Sequence, residues 1–214
     1  MSTTRFWLIR HALVEPTARA VLYGTLDVAL CAEQLEVERP AFAALAARLP
    51  RPAQWVATPL SRTRRTAEAI FEAGYPAQTL LIEPRLIEQS LGEWQGLVHA
   101  DLPARLRLPE PAFWPLSGHE DPPGGESLAQ VIERAGAAVE NLAKAGAPDI
   151  VIVSHGGTIR ALLAHAMGVG PDPVLHFSIQ NLSLTRLERH PAGWRIVSVN
   201  EPPRALAGGG RDAL

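Results

Sequence analysis

Residues 150–157 read Ile150-Val151-Ile152-Val153-Ser154-His155-Gly156-Gly157, and this stretch decides the fold class. An unbroken β-branched run without a charge suits a strand buried on both faces, as in the middle of a parallel sheet. The run breaks into a polar turn, and Thr158–Met167 then reads as a helix stopped by Gly168. Strand, polar turn and helix make one β–α unit, and two more units have the same design. Phe6-Trp7-Leu8-Ile9 ends in Arg10-His11, and Trp55-Val56-Ala57 runs into Thr58-Pro59-Leu60-Ser61-Arg62. In open α/β sheets, ligands gather beyond the carboxyl ends of the strands. Three such ends carrying two histidines and two arginines describe a site for an anion, above all a phosphoryl group.

The rest of the chain supplies connections of the matching kind. Ala12–Leu30 shows no clean period and reads as a loop with a turn at Tyr23-Gly24. Ala32–Leu49 reads as a helix in which Pro40 forces a kink or a late start. Thr58 and Pro59 read as N-cap and first residue of the next helix, whose apolar face holds Leu60, Ala67, Ile70 and Phe71. Thr79–Ile82 is a further strand, followed by Arg85-Leu86-Ile87-Glu88. Residues 98–125 are irregular and proline-rich, which suits a lid-like excursion over a functional face as well as a plain surface loop. Ser127–Lys144 is a helix, and Leu182–Leu187 and Trp194–Val199 alternate around His190-Pro191-Ala192-Gly193 as a closing hairpin. The expected organisation is one domain over 1–201 with a disordered tail over 202–214.

Composition narrows the partners. The 214 residues are 47% hydrophobic and 20% charged, as in a globular domain. With a formal net charge of -2 there is no global basic field for nucleic acid or anionic membrane, so the cations form a local pocket. Cys31 is the lone cysteine, which excludes an intrachain disulfide and fits a reducing compartment. The apolar runs are too short to span a membrane, and no secretory pattern precedes the first strand, so the expected location is the cytoplasm. Monomer and homodimer are both compatible with this reading.

Phosphoryl transfer needs in-line positioning, charge on the equatorial oxygens and a proton for the leaving oxygen. Arg10 and Arg62 can each present a planar fork of donors to phosphate oxygens. His155 and the backbone N–H groups at Gly156 and Gly157, near a helix start, add further donors. His11 can act as nucleophile if a backbone carbonyl holds the proton on its other nitrogen, and nearby arginines favour that neutral form. Glu88 is the natural proton donor, made competent when a phosphate dianion offsets the arginines; Glu15 is the alternative. His99, His119, His165, His176 and His190 lack zinc spacing and read as structural or exposed.

In this order the motifs resemble the histidine phosphatase superfamily, phosphoglycerate mutase-like branch. The segments are LIRHA (8–12), YGTLDVAL (23–30), ATPLSRTRRTAEAI (57–70), LIEQSLGEWQGL (86–97), PPGGES (122–127) and IVIVSHGGTIRALL (150–163). The resemblance implies a three-layer α/β/α sandwich with a mostly parallel sheet and an antiparallel edge strand. It implies a phosphohistidine at His11, a phosphate pocket of Arg10, Arg62 and His155, Glu88 as general acid and no metal; no cofactor is expected. Two departures stand out. Ala12 replaces the usual glycine after the first histidine, and Leu13-Val14-Glu15-Pro16-Thr17 offers only Thr17 where the mutase branch carries polar phosphate ligands. The short excursion after the acid segment also differs from the mutases. Three functions therefore stay open. The first is a metal-independent phosphatase of a small phosphorylated metabolite, α-ribazole phosphate among the candidates, releasing inorganic phosphate. The second is a cofactor-dependent phosphoglycerate mutase. The third is a phosphate- or phosphoprotein-binding module with little turnover, which Ala12 alone supports.

Overall fold

The computed structural model describes residues 3–203. Its elements are β1 (Thr4–Arg10), α1 (Pro16–Arg19), α2 (Ala32–Val37), α3 (Arg39–Arg48), β2 (Gln54–Ala57) and α4 (Ser61–Glu72). There follow β3 (Leu80–Ile82), α5 (Leu128–Lys144), β4 (Asp149–Ser154), α6 (Gly156–Met167), β5 (Leu184–His190) and β6 (Gly193–Glu201). One sheet runs β3-β2-β4-β1-β5-β6. β3, β2, β4 and β1 are mutually parallel, β5 is antiparallel to β1, and β6 returns beside it as the closing hairpin.

Side-chain alternation splits the core into two layers. Phe6, Leu8, Val56, Ile150 and Ile152 face one way and pack with Val131, Ala135, Ile159 and Leu162 of α5 and α6. Ile9, Trp55, Val151 and Val153 face the other way and pack with Phe42, Leu45, Ala67 and Ile70 of α3 and α4. The crossovers explain which helices go where. The chain moves one way across the sheet from β1 to β2 to β3, and back from β3 to β4. Right-handed connections then place the two sets of helices on opposite faces. The three-layer sandwich is the fold the motifs implied, with β4 at its centre, fully buried along its whole length.

Three local expectations are corrected. The 32–49 helix is two helices, because Pro40 cannot donate a helical hydrogen bond and sits instead in the first turn of α3. The 12–30 loop contains the short helix α1. Thr58 does not cap α4, which starts at Ser61; the Ser61 backbone N–H and hydroxyl donate to Asp27 Oδ1 at 2.7 and 2.6 Å.

The 98–125 segment is anchored in two ways. Leu102 and Leu116 pack on Leu22, Leu91 and Trp94. Glu120, buried, accepts the Leu108 and Arg107 backbone N–H groups. Gly92, at φ +50°, lets the 89–96 turn lie against 122–126; an added Cβ would sit 2.1 Å from Pro123 O. Pro202 and Pro203 lie within the described residues, Pro202 O accepting from Arg48 at 2.8 Å, while the rest of the tail expected to be disordered lies outside them. Among the described residues no helix is long and apolar enough to cross a membrane. Among them, too, no group of three or more His, Cys, Asp or Glu is arranged to hold a metal ion.

Candidate active site

Strand register assembles the site. Arg10 of β1 is paired with Ser154 of β4, and the His11 N–H donates to Ser154 O at 2.9 Å, so His11 and His155 leave the sheet side by side. Their rings meet edge to face at a centroid distance of 5.3 Å. Both imidazoles are almost completely buried.

His11 is held by its own turn. Its Nδ1 lies 2.7 Å from Ala12 O, a contact that needs the proton on Nδ1 and leaves the Nε2 lone pair free. Asn181 Nδ2 donates to His11 O at 2.7 Å, and Thr66 Oγ1 accepts the Ala12 N–H at 2.9 Å. The turn is thus fixed from both sides. Burial, then the charges of Arg62 and Arg10, push the His11 pKa well below its ordinary value. The Ala12 methyl joins the apolar cluster with Ile9, Val14 and Leu30, so it packs into the core.

His155 is fixed by a hydroxyl chain. Thr63 Oγ1 donates to Leu60 O at 2.9 Å, which turns the Thr58 hydroxyl hydrogen toward Thr63 Oγ1 at 3.0 Å. Thr58 Oγ1 can then only accept from His155 Nε2, 3.0 Å away. The His155 proton is assigned to Nε2, and its Nδ1 faces Arg62 Nε at 3.4 Å. Burial, followed by Arg62, His11 and Arg10, also lowers the His155 pKa well below its ordinary value. Thr58 therefore serves the site instead of the helix.

Arg62, from the first turn of α4, is completely buried. Its NH1 and NH2 hold Leu26 O and Gly24 O, each at 2.7 Å, and each nitrogen keeps a second hydrogen. Arg10 NH1 donates to Ile179 O at 2.5 Å, and its buried Nε has no partner among the described residues. Glu88 is drawn onto the start of α6. Its carboxylate accepts the N–H groups of Gly157 and Thr158 at 3.2 Å each and of Gln89 at 3.0 Å. The chain before it is clamped by Ser154 Oγ on Leu86 O, Thr158 Oγ1 on Ile87 O and Arg134 on Arg85 O.

Arg10, Glu88, Gly156 and Gly157 line a cavity of about 260 Å³ with Tyr23, Leu22, Leu91, His99 and the segment Trp114–Leu116. His11, Arg62 and His155 are not part of this lining, and Arg10 and Gly156, their chain neighbours, are. The 98–125 excursion thus reaches the cavity through His99 and Trp114–Leu116. Thr17, the one polar residue where the mutase branch carries phosphate ligands, is exposed on α1 and lies outside the lining. Glu15 likewise lies outside it.

Four residues near the site went unread in the sequence: Thr58 as a histidine partner, Thr66, Asn181 and Arg160. Arg160 carried a signal, because it lies four residues after Gly156 and so shares its helix face.

The family model of the histidine phosphatase superfamily (branch 1) matches residues 6–202. The chain belongs to this superfamily. Among curated members, the glucosyl-3-phosphoglycerate phosphatase of Mycolicibacterium vanbaalenii is 32% identical over 205 residues, covering 89% of this chain and 86% of that one. The solved native structure of a mycobacterial glucosyl-3-phosphoglycerate phosphatase matches with a TM-score of 0.77 at 26% identity, over 94% of this chain and all of that one. A structure described as a putative α-ribazole-5'-P phosphatase from Escherichia coli has a TM-score of 0.77 at 20% identity, over 94% of this chain and 98% of that one, which bears on the fold alone.

Proposed function

We propose that this histidine phosphatase hydrolyses a phosphate monoester of a small metabolite through a phosphohistidine at His11. The observation that carries the reading is the Nδ1 contact of His11 with Ala12 O, which leaves Nε2 unprotonated beside the charges of Arg62 and Arg10. Nε2 attacks phosphorus in line, and the bond to the leaving oxygen breaks as Glu88 hands that oxygen a proton. Arg10, Arg62 and the Gly156 N–H hold the equatorial oxygens, while His155 orients Arg62 from behind. Water then attacks the phosphohistidine, giving its proton to the Glu88 carboxylate; inorganic phosphate leaves and His11 is restored. No step uses a metal or a cofactor. Thr17, exposed on α1, has no place in this scheme.

The leaving group occupies the cavity beneath Trp114, Pro115 and Leu116. The names of the relatives make glucosyl-3-phosphoglycerate the first substrate to screen, with α-ribazole phosphate after it. The modest net charge and the single, buried Cys31 support action in the cytoplasm on a small molecule rather than on nucleic acid. The packing of Ala12 into the core removes the one feature that favoured a non-catalytic binding module.

The test is hydrolysis of an aryl phosphate in chelator by wild type and His11→Ala. Chelator-resistant activity that the substitution removes supports the reading. Activity equal in the two proteins refutes it.

A further inference from the structure

Arg160 is a buried cation that the reaction above does not use. It projects from α6 one turn after Gly156, is 5% exposed, and donates through Nε to Phe177 O at 2.9 Å. Its buried NH1 has no hydrogen-bond partner among the described residues, and neither does Arg10 Nε. Both atoms reach the same place: each lies 3.4 Å from where a Cβ on Gly156 would stand. Two guanidinium groups so close repel one another. Burial, then Arg10, lowers the Arg160 pKa to about 10, which still leaves it charged at neutral pH. Among the described residues no carboxylate forms an ion pair with either.

Resting on the phosphatase reading, we propose that Arg160 and Arg10 form a second anion subsite, which takes a carboxylate on the leaving group of the substrate. Charge balance argues for a monoanion. Arg10, Arg62 and Arg160 bring three positive charges, and a phosphate dianion offsets two. Glu88 offsets the third only while ionised, and it is neutral when poised to protonate the leaving oxygen. A substrate carboxylate restores neutrality at that moment, and a planar guanidinium binds a carboxylate through paired N–H donors. Position agrees with charge. Gly156 lines the cavity, and Trp114, which also lines it, covers the Arg160 guanidinium at 4.0 Å from ring centroid to carbon. That stack holds the fork against solvent at the edge of the leaving-group space.

The experiment is calorimetric binding to His11→Ala, which retains intact esters. The probes are 3-phosphoglycerate and glycerol 3-phosphate, which differ by a carboxylate in place of a hydroxymethyl group. The parent variant binds the carboxylate ester about tenfold or more tightly, the scale of one charge-assisted pair. Adding Arg160→Met brings the two affinities within about twofold by weakening the carboxylate ester alone, and Arg160→Lys retains part of the preference. Equal binding of both probes by the parent overturns the proposal, and so does an equal loss for both probes in Arg160→Met. Should Arg160→Met fail to fold, the parent ratio and Arg160→Lys decide. The phosphatase reading fails separately: a wild type that hydrolyses nothing yet prefers the carboxylate ester refutes the chemistry and keeps the subsite.

Discussion

A Cβ on Gly157 would lie 2.5 Å from Glu88 Oε1, so the absence of a side chain at Gly157 is what lets the Glu88 carboxylate rest on the first turn of α6. Gly156, its neighbour, has 3.4 Å of room before the nearest atoms. Gly157→Ala therefore displaces Glu88 and lowers kcat by about a hundredfold, the scale of a lost general acid. Gly156→Ala leaves Glu88 in place, and its methyl, set beside Arg10 Nε and Arg160 NH1, raises KM instead of lowering kcat. Both substitutions favour the helix intrinsically by up to about 1 kcal/mol. A melting temperature that holds while kcat falls for Gly157→Ala alone is the expected pattern; equal effects at the two positions contradict it.

Thr58 is predicted to act through His155. Thr58→Val removes the acceptor of the Nε2 proton and leaves a buried donor unpaired, at a cost of about 1–3 kcal/mol. Freed of that bond, the ring loses its fixed tautomer and Arg62 loses its partner. We expect kcat/KM to fall about tenfold, nitrogen chemical shifts to report a mixed His155 tautomer, and Thr58→Ser to restore both. A drop in stability with the tautomer unchanged would show that Thr58 is merely packed.

Stability carries a pH signature from the same two histidines. Both pKa values lie well below the ordinary 6.5 in the folded chain, each mainly through burial. Above pH 6.5 neither folded nor unfolded imidazole binds a proton, so their contribution is complete. As pH falls below 6.5 the unfolded chain takes up protons that the native state refuses, and stability drops toward the folded pKa values. The slope reaches about 1.4 kcal/mol per pH unit for each histidine. Urea titrations between pH 7.5 and 5 measure it, and His155→Asn halves the histidine share. A slope unchanged by that substitution removes His155 from the account.

The parts of this molecule that were legible in the sequence are those with a local signature. β4 announced itself because a strand buried on both faces must be apolar at every position. The strand ends carrying Arg10, His11 and His155 followed, since register then brings them together. Arg62 was legible from its place at a helix start. The rest depended on distant partners. The role of Thr58 required His155, 97 positions away, and the fixing of Glu88 required the N-terminus of α6. Arg160 went unread within the 150–163 segment, because nothing local shows that its guanidinium lacks a partner. Thr17 was chosen as the one polar residue soon after the first histidine motif, and it is exposed on a one-turn helix.

The most direct test of the central claim is to trap the phosphoenzyme with a reactive phosphate ester, map it by mass spectrometry, and identify the substituted nitrogen by phosphorus NMR. Because Ala12 O holds Nδ1, the label is predicted on Nε2 of His11. A phosphoryl group on Nδ1, on His155, or on any other side chain would contradict it.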